Sequence, residues 1–237
     1  MKLFRTSAFL SLLFLSICLV HCAPNGLSGS GTVTTEERNL TTFNRIDIAG
    51  NFELILVPGR TELLKIETDD NLQENVLTKV ENSTLRIWHK EPVEKATANT
   101  ITVSYQSLSK LTMAGAVTAR TEGTLKAEKL DIKGSGASDL KVDYQGDELS
   151  LDISGAGQTV LTGKARNLDI NLSGAGAVEA HTLQSKFGNV VLSGASEVTI
   201  NAKKALNVTI SGAGSVRYAG DPKITKSISG VGSLSPI

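Results

Sequence analysis

From about residue 110 onward, apolar and polar residues alternate with period two. The pattern is clearest in Leu130-Asp131-Ile132, Leu149-Ser150-Leu151-Asp152-Ile153, Leu168-Asp169-Ile170-Asn171-Leu172 and Val208-Thr209-Ile210. Each run predicts a strand with one buried face. A second short run follows, as in Gln158-Thr159-Val160-Leu161 and Glu197-Val198-Thr199-Ile200. No ten-residue stretch here carries the i, i+3, i+4 apolar spacing of a helix, so helix is excluded.

Between the runs, small-residue clusters recur: Met113-Ala114-Gly115-Ala116, Lys133-Gly134-Ser135-Gly136, Ser154-Gly155-Ala156-Gly157 and Ser173-Gly174-Ala175-Gly176 come first. Ser193-Gly194-Ala195-Ser196, Ser211-Gly212-Ala213-Gly214 and Ser229-Gly230-Val231-Gly232 complete the series. Their first glycines stand at 115, 134, 155, 174, 194, 212 and 230, at intervals of 19, 21, 19, 20, 18 and 18. Strands returning at a fixed interval predict an all-β solenoid, a right-handed parallel β-helix of about 19 residues per coil. Corners and crowded inner positions of such a coil need residues with little or no side chain. A sandwich of short strands is the competing architecture, but it supplies no reason for the fixed interval.

Residues 32–110 are strand-like but less regular. Ile46-Asp47-Ile48-Ala49-Gly50 leads into Phe52–Val57, and Pro58-Gly59 marks a turn. Asp70–Leu77 reads as a short helical turn capped by Asp70, and Leu85-Arg86-Ile87-Trp88 resumes strand. Solenoids need atypical ends to cover their open edges, so this region is expected to form an N-terminal β cap and the first coils.

The run Phe43–Gly59, followed by Thr68-Asp69-Asp70-Asn71-Leu72, Leu85-Arg86-Ile87 and the Ser-Gly-Ala-Gly repeats, resembles the head-GIN-domain family. These are exported bacterial proteins, often called autotransporter adhesins, whose domain has no established function. The resemblance spans roughly residues 32–235. It implies a right-handed β-helix and brings no catalytic residues to carry over.

The N-terminus carries an address. Lys2 and Arg5 precede an apolar run from Ala8 to Val20, which is shorter than a membrane span and fits a secretory signal. Leu19-Val20-His21-Cys22 resembles a bacterial lipobox, with Cys22 the lipidation site; His21 departs from the usual small residue. Ordinary cleavage near Ala23 is the alternative. Four segments are expected: a signal peptide over 1–21, a flexible tether over 22–31, a head over 32–110 and repeat coils over 111–237. The expected partner is a membrane, reached through the lipid, at the outer membrane or cell surface of an exported envelope protein.

Composition then narrows the chemistry. The 237 residues hold 24 Lys+Arg and 24 Asp+Glu, so the basic excess of a nucleic-acid binder is missing. Two cysteines build neither a disulfide framework nor a four-cysteine metal site. His89 and His181, far apart in sequence, read as surface histidines at strand ends without metal-ligand spacing. Asp131, Asp152 and Asp169 occupy the same place in three repeats and could stack into a cation-binding ladder; a solvated outward row is the plainer reading. Lys133, Lys141, Lys203 and Lys204 read as strand-edge protection. Tyr144, Phe187 and Tyr218 form no continuous aromatic stripe for sugars. The glycine clusters are neither a dinucleotide fingerprint nor a Walker loop.

No catalytic residue, metal or cofactor is therefore expected. The expected function is a non-enzymatic envelope module contacting polysaccharide or protein through a flat face. A polysaccharide lyase or hydrolase, and a self-assembling envelope protein, are the alternatives.

Overall fold

The computed structural model describes residues 26–237. It is an all-β molecule. In chain order the strands are β1 (Leu27–Ser28), β2 (Val33–Asn39), β3 (Arg45–Pro58), β4 (Leu63–Asp69), β5 (Val76–Glu81), β6 (Thr84–His89), β7 (Val93–Lys95) and β8 (Asn99–Tyr105). They continue with β9 (Lys110–Thr121), the long, folded-over β10 (Leu125–Leu172), β11 (Ala175–Leu192), β12 (Glu197–Ile210), β13 (Ser215–Ala219), β14 (Lys223–Ile228) and β15 (Ser233–Pro236). A thirteen-stranded mixed sheet takes in all of these except β1 and β7, which pair with each other. The only helix among the described residues is a 3-10 turn, Asp70–Asn75.

From β9 onward pairing is parallel, and each residue meets its counterpart one repeat away. Gly136 pairs with Gly115, Ala156 with Ala175, Ala177 with Glu197 and Val198 with Val216. The two-residue alternation seen in the sequence becomes the core of this stack. Ile46, Leu111 and Ile132 form one buried column, and Ile170, Val190 and Val208 form another stretch of apolar register, all at 2% exposure or less.

The glycine column differs from the sequence reading at one level. The residue stacked on Gly115 is Gly136, and Gly134 lies in the buried apolar column opposite Met113. A Cβ on Gly134 would lie 2.6 Å from Ile153 Cδ1, so Ile153 fills the volume that glycine leaves. The column also starts earlier than the repeats, because Gly50 of β3 pairs with Gly115. At Gly115 and Gly136 a Cβ would come 2.5 Å from the carbonyl oxygen of the glycine on the preceding rung. Close backbone approach therefore demands glycine here, and corner geometry adds a positive φ at Gly115 (98°) and Gly136 (95°).

The head joins this stack but is not purely parallel, which the expectation of an all-parallel solenoid left out. Strand β3 pairs with β9 on one side and with β6 and β8 on the other, all in parallel. Around that seam β2, β4 and β8 run antiparallel, as do β5 and β6. Asn82 and Ser83, with φ of 49° and 58°, make the two-residue turn between β5 and β6. Positive φ at both central residues is what a tight hairpin of matching twist requires.

Two local expectations are corrected. The cap position of the 3-10 turn is Asp69, not Asp70, and no side chain caps it. Asp69 is instead buried, accepting hydrogen bonds from the Gly31 and Thr97 backbone amides at 2.7 Å each. The stretch expected as a flexible tether is laid against the head from Leu27 onward. Leu27 N donates to Pro92 O and Gly29 N to Lys95 O, both at 2.8 Å. Backbone amides laid against a folded surface need partners, and the next two find them on side chains: Ser30 N donates to Asn71 Oδ1 and Gly31 N to Asp69 Oδ1.

Candidate functional site

The lipidation residue expected at Cys22 lies outside the described residues, as does the 1–21 signal segment. The other candidates can be placed.

The three aspartates do not form a ladder. Asp131 pairs with Lys110, and their side chains lie 3.9 Å apart. Asp152 sits against Lys133 at 3.8 Å on one side and accepts from Asn171 Nδ2 at 3.4 Å on the other. Asp169 pairs with Asn189. The unequal repeat lengths shift Asp152 two positions out of the row holding Asp131 and Asp169. Each carboxylate therefore meets a lysine or an amide. Among the described residues no three His, Cys, Asp or Glu side chains converge as metal ligands.

The histidines divide. His181 is exposed on β11, beside a recess of about 330 Å³ lined by Glu179, Glu197, Thr199 and Arg217. His89, by contrast, is not the surface residue expected. Its ring stacks on Phe52 with centroids 4.1 Å apart and planes 13° off parallel. Its Nε2 is 3.1 Å from Asn99 Nδ2 and its Nδ1 is 3.5 Å from Asn75 Nδ2. Asn75, 5% exposed, holds the loop after β6 by donating to Glu91 O at 2.9 Å and accepting from Glu91 N at 2.8 Å. Burial lowers the His89 pKa, outweighing the Asn51 carbonyl that favours its protonated form. The ring is thus a neutral packing element of the head.

Of the aromatics, Tyr144 is fully buried. Its hydroxyl lies 2.8 Å from the carbonyl oxygens of Ala127 and Glu148, and burial pushes its pKa up to about 12. It braces a corner of the stack from inside, so it cannot serve as a sugar platform. Phe187 is the one that faces solvent, at 40% exposure.

A recess of about 390 Å³ lies on the head beside Asn51, Thr97 and Asn99, and others lie on the outside of the repeats. One recess, of about 590 Å³, runs along the small-residue clusters past Ala175, Ala195, Ala213 and Val231. Another, of about 530 Å³, lies at the corner braced by Tyr144. Lys164, Arg166, Lys186 and Lys203 stand around a floor of Gly146, Ala165 and Ser185. Of these, the sequence reading singled out only Lys203, as edge protection. The signal it missed was phase: Arg166 and Lys186 fall at the same point of consecutive repeats, flanked by the pairs Ala165–Ser185 and Asn167–Phe187.

A family model described as "Putative auto-transporter adhesin, head GIN domain" matches residues 42–222. Among solved structures, a protein of Bacteroides fragilis titled a putative adhesin is 25% identical with a TM-score of 0.80, covering 90% of this chain and 100% of its own. A Parabacteroides distasonis protein titled a putative adhesin is 18% identical with a TM-score of 0.77, at the same coverages. A second P. distasonis protein, titled a putative lipid binding protein, is 22% identical with a TM-score of 0.74, again covering 90% and 100%. No curated protein matches. Gly50 and strand β3 (Arg45–Pro58), which opens the glycine column, fall within the matched span, as do six of the seven repeat clusters. The chain belongs to this head GIN domain family.

Proposed function

We propose that this protein is a non-enzymatic module of the bacterial cell envelope, wound as a right-handed parallel β-helix and tethered through a lipid on Cys22. The signal segment 1–21 is removed. The head over 32–110 covers one end of the solenoid, and the coils over 111–237 present long outer faces to envelope polysaccharide or protein. The observation that carries this reading is the parallel pairing of every rung from β9 to β15, broken only by local register shifts. It supports an extended, regularly spaced outer surface of Ser, Thr, Asn and paired charges. A repeating surface suits a repeating partner, since each rung offers the same contact about 4.8 Å further on.

Two measurements test it. Intact mass of the membrane-extracted protein should show an acylated chain starting at Cys22, lost in Cys22→Ser. An unmodified chain starting near Pro24 overturns the tether. The exported protein should also retain isolated envelope polysaccharide or envelope proteins on a column. Retention of neither overturns the binding role.

A further inference from the structure

We infer that the recess at the Tyr144 corner is a binding groove for an acidic polysaccharide; this rests on the envelope-binding reading and names its ligand class.

The groove follows from register. Gly146 lies directly over the Ala127 carbonyl, Gly163 lies over that of Tyr144, and Ala165 pairs with Ser185. The floor is therefore a column of small residues, Ala127, Gly146, Ala165 and Ser185, on four successive rungs. At about 4.8 Å per rung it extends roughly 14 Å. Each floor residue is flanked by two outward neighbours, which make the walls. Lys126, Gln145, Lys164 and Gln184 stand on one side, and Glu128, Asp147, Arg166 and Lys186 on the other. A second recess of about 500 Å³ shares Gln145, Gly146 and Asp147 with the first, so the groove is continuous.

Its charge is what separates it from the rest of the surface. Elsewhere a cation on one rung meets an acid on the next, as in Lys110–Asp131, Lys133–Asp152 and Lys129–Glu148. Here Lys186 follows Arg166 and Lys164 stands across the floor from Arg166, with Asp147 on the rung before. Among the described residues neither Lys164, Arg166 nor Lys186 forms an ion pair, and Lys203 Nζ donates only to Gln184 Oε1, at 2.9 Å. Like charges one rung apart repel, and a bound anion relieves that repulsion. Asp147 and Glu128 close the other end, so the site suits a ligand with one carboxylate per sugar better than a multiply sulfated one.

The remaining groups fit a sugar. Gln145 and Gln184 offer amide donors and acceptors for hydroxyls between the charges. Phe187, exposed one residue beyond Lys186, offers a ring face for the C–H face of a pyranose. A flat bilayer would touch the walls and leave the floor empty, which is why a chain-like ligand is favoured over a lipid surface.

The test uses the exported full-length chain carrying Cys22→Ser, titrated with polygalacturonate, with neutral dextran and with phosphatidylglycerol vesicles. Polygalacturonate should bind and dextran should not. Raising salt from about 0.05 to about 0.5 M should weaken binding about tenfold or more. Lys164→Glu with Lys186→Glu should weaken it at least about tenfold, whereas the charge-matched Lys141→Glu with Lys226→Glu should stay within about twofold. Phe187→Ala, which leaves charge untouched, should cost about threefold.

Failure of polygalacturonate to bind overturns the inference, as do equal losses in the two charge-matched pairs and equal binding of dextran. Tighter binding to the vesicles overturns it in favour of a membrane surface. If envelope material is still retained, and equally by the groove variant, the groove fails while the envelope-binding role stands. If the parent protein retains none, both fail.

Discussion

The head and the repeats keep their strands in register by different means. In the repeats one device is used over and over: a glycine whose α carbon sits against the carbonyl of the glycine on the rung before it, from Gly115 over Gly50 through Gly136 to Gly230 over Gly212. In the head each contact is made once, by a polar side chain with its own partner. Asp69 holds the backbone of Gly31 and Thr97, Asn75 holds Glu91, and Asn99 reaches the Asn51 carbonyl and His89. The repeats thus depend on what is absent from a position, and the head depends on what is present. A stack of like rungs has many near-equivalent registers, and a steric filter at every level rejects the wrong ones. A one-off antiparallel cap needs individual hydrogen bonds to specify it.

That contrast can be broken most sharply at Gly155, whose added Cβ would run into the carbonyl of Gly136. Gly155→Val should destabilise by about 3 kcal/mol or more, because the obstacle is backbone and cannot rotate away. Urea unfolding of the variant checks this, and wild-type stability would refute the steric-filter account. In the head, Asn75→Ala should cost about 2 kcal/mol by leaving both polar groups of the Glu91 backbone without their partner. Gly123 is the control for the column: its φ is 91° but no atom lies within 4 Å of a built Cβ. Gly123→Ala should therefore cost only about 1 kcal/mol, the conformational part alone.

A gentler probe of the head is pH. The folded His89 pKa lies below its ordinary value of 6.5, so the unfolded chain binds the proton first on acidification. Stability from the neutral ring is complete above about pH 6.5 and falls as pH drops through the interval between the two values. The decline should vanish in His89→Phe, as followed by thermal unfolding between about pH 7.5 and 5. The smallest effect is expected at Lys133, whose pairing with Asp152 at 3.8 Å is half exposed: Lys133→Ala should change stability by about 0.5 kcal/mol or less.

The repeats were legible in the sequence because their signal is local and repeated; alternation and interval together place strands, buried columns and parallel neighbours. Phase was harder. Repeats of 18 to 21 residues absorb their differences in irregular registers, such as those between Val160 and Gly163 and between Ser185 and Phe187. Gly134 and Asp152 leave their rows for a simpler reason: the β9–β10 register is regular and aligns the second glycine of that cluster, Gly136, with Gly115, so spacing read from each cluster's first glycine is two residues out of phase there. The pairing of β2, β4 and β8 was not legible, since three short strands far apart in sequence can pair in several orders of similar local propensity. The Asn82-Ser83 turn was legible in principle, between two alternating runs, and was missed. The burial of His89 rests on Phe52 and Asn99, residues 37 and 10 positions away, which no local pattern connects. The basic groove was hidden for a related reason: Lys164 and Arg166 meet Lys186 and Lys203 of later repeats only when the rungs are overlaid.

Parallel register also has a mechanical meaning. The hydrogen bonds that join rungs point along the stack, so a pull along that axis loads them as a zipper, one rung at a time, and never as a sheared block. Each rung that opens would release roughly 65 Å of extended chain. The terminal rung of β14 and β15 has a neighbour on one side only, among the described residues, and would yield first. Stretched between two surfaces, such a stack lengthens in steps and takes up load gradually, while the interlocked antiparallel head at the other end holds.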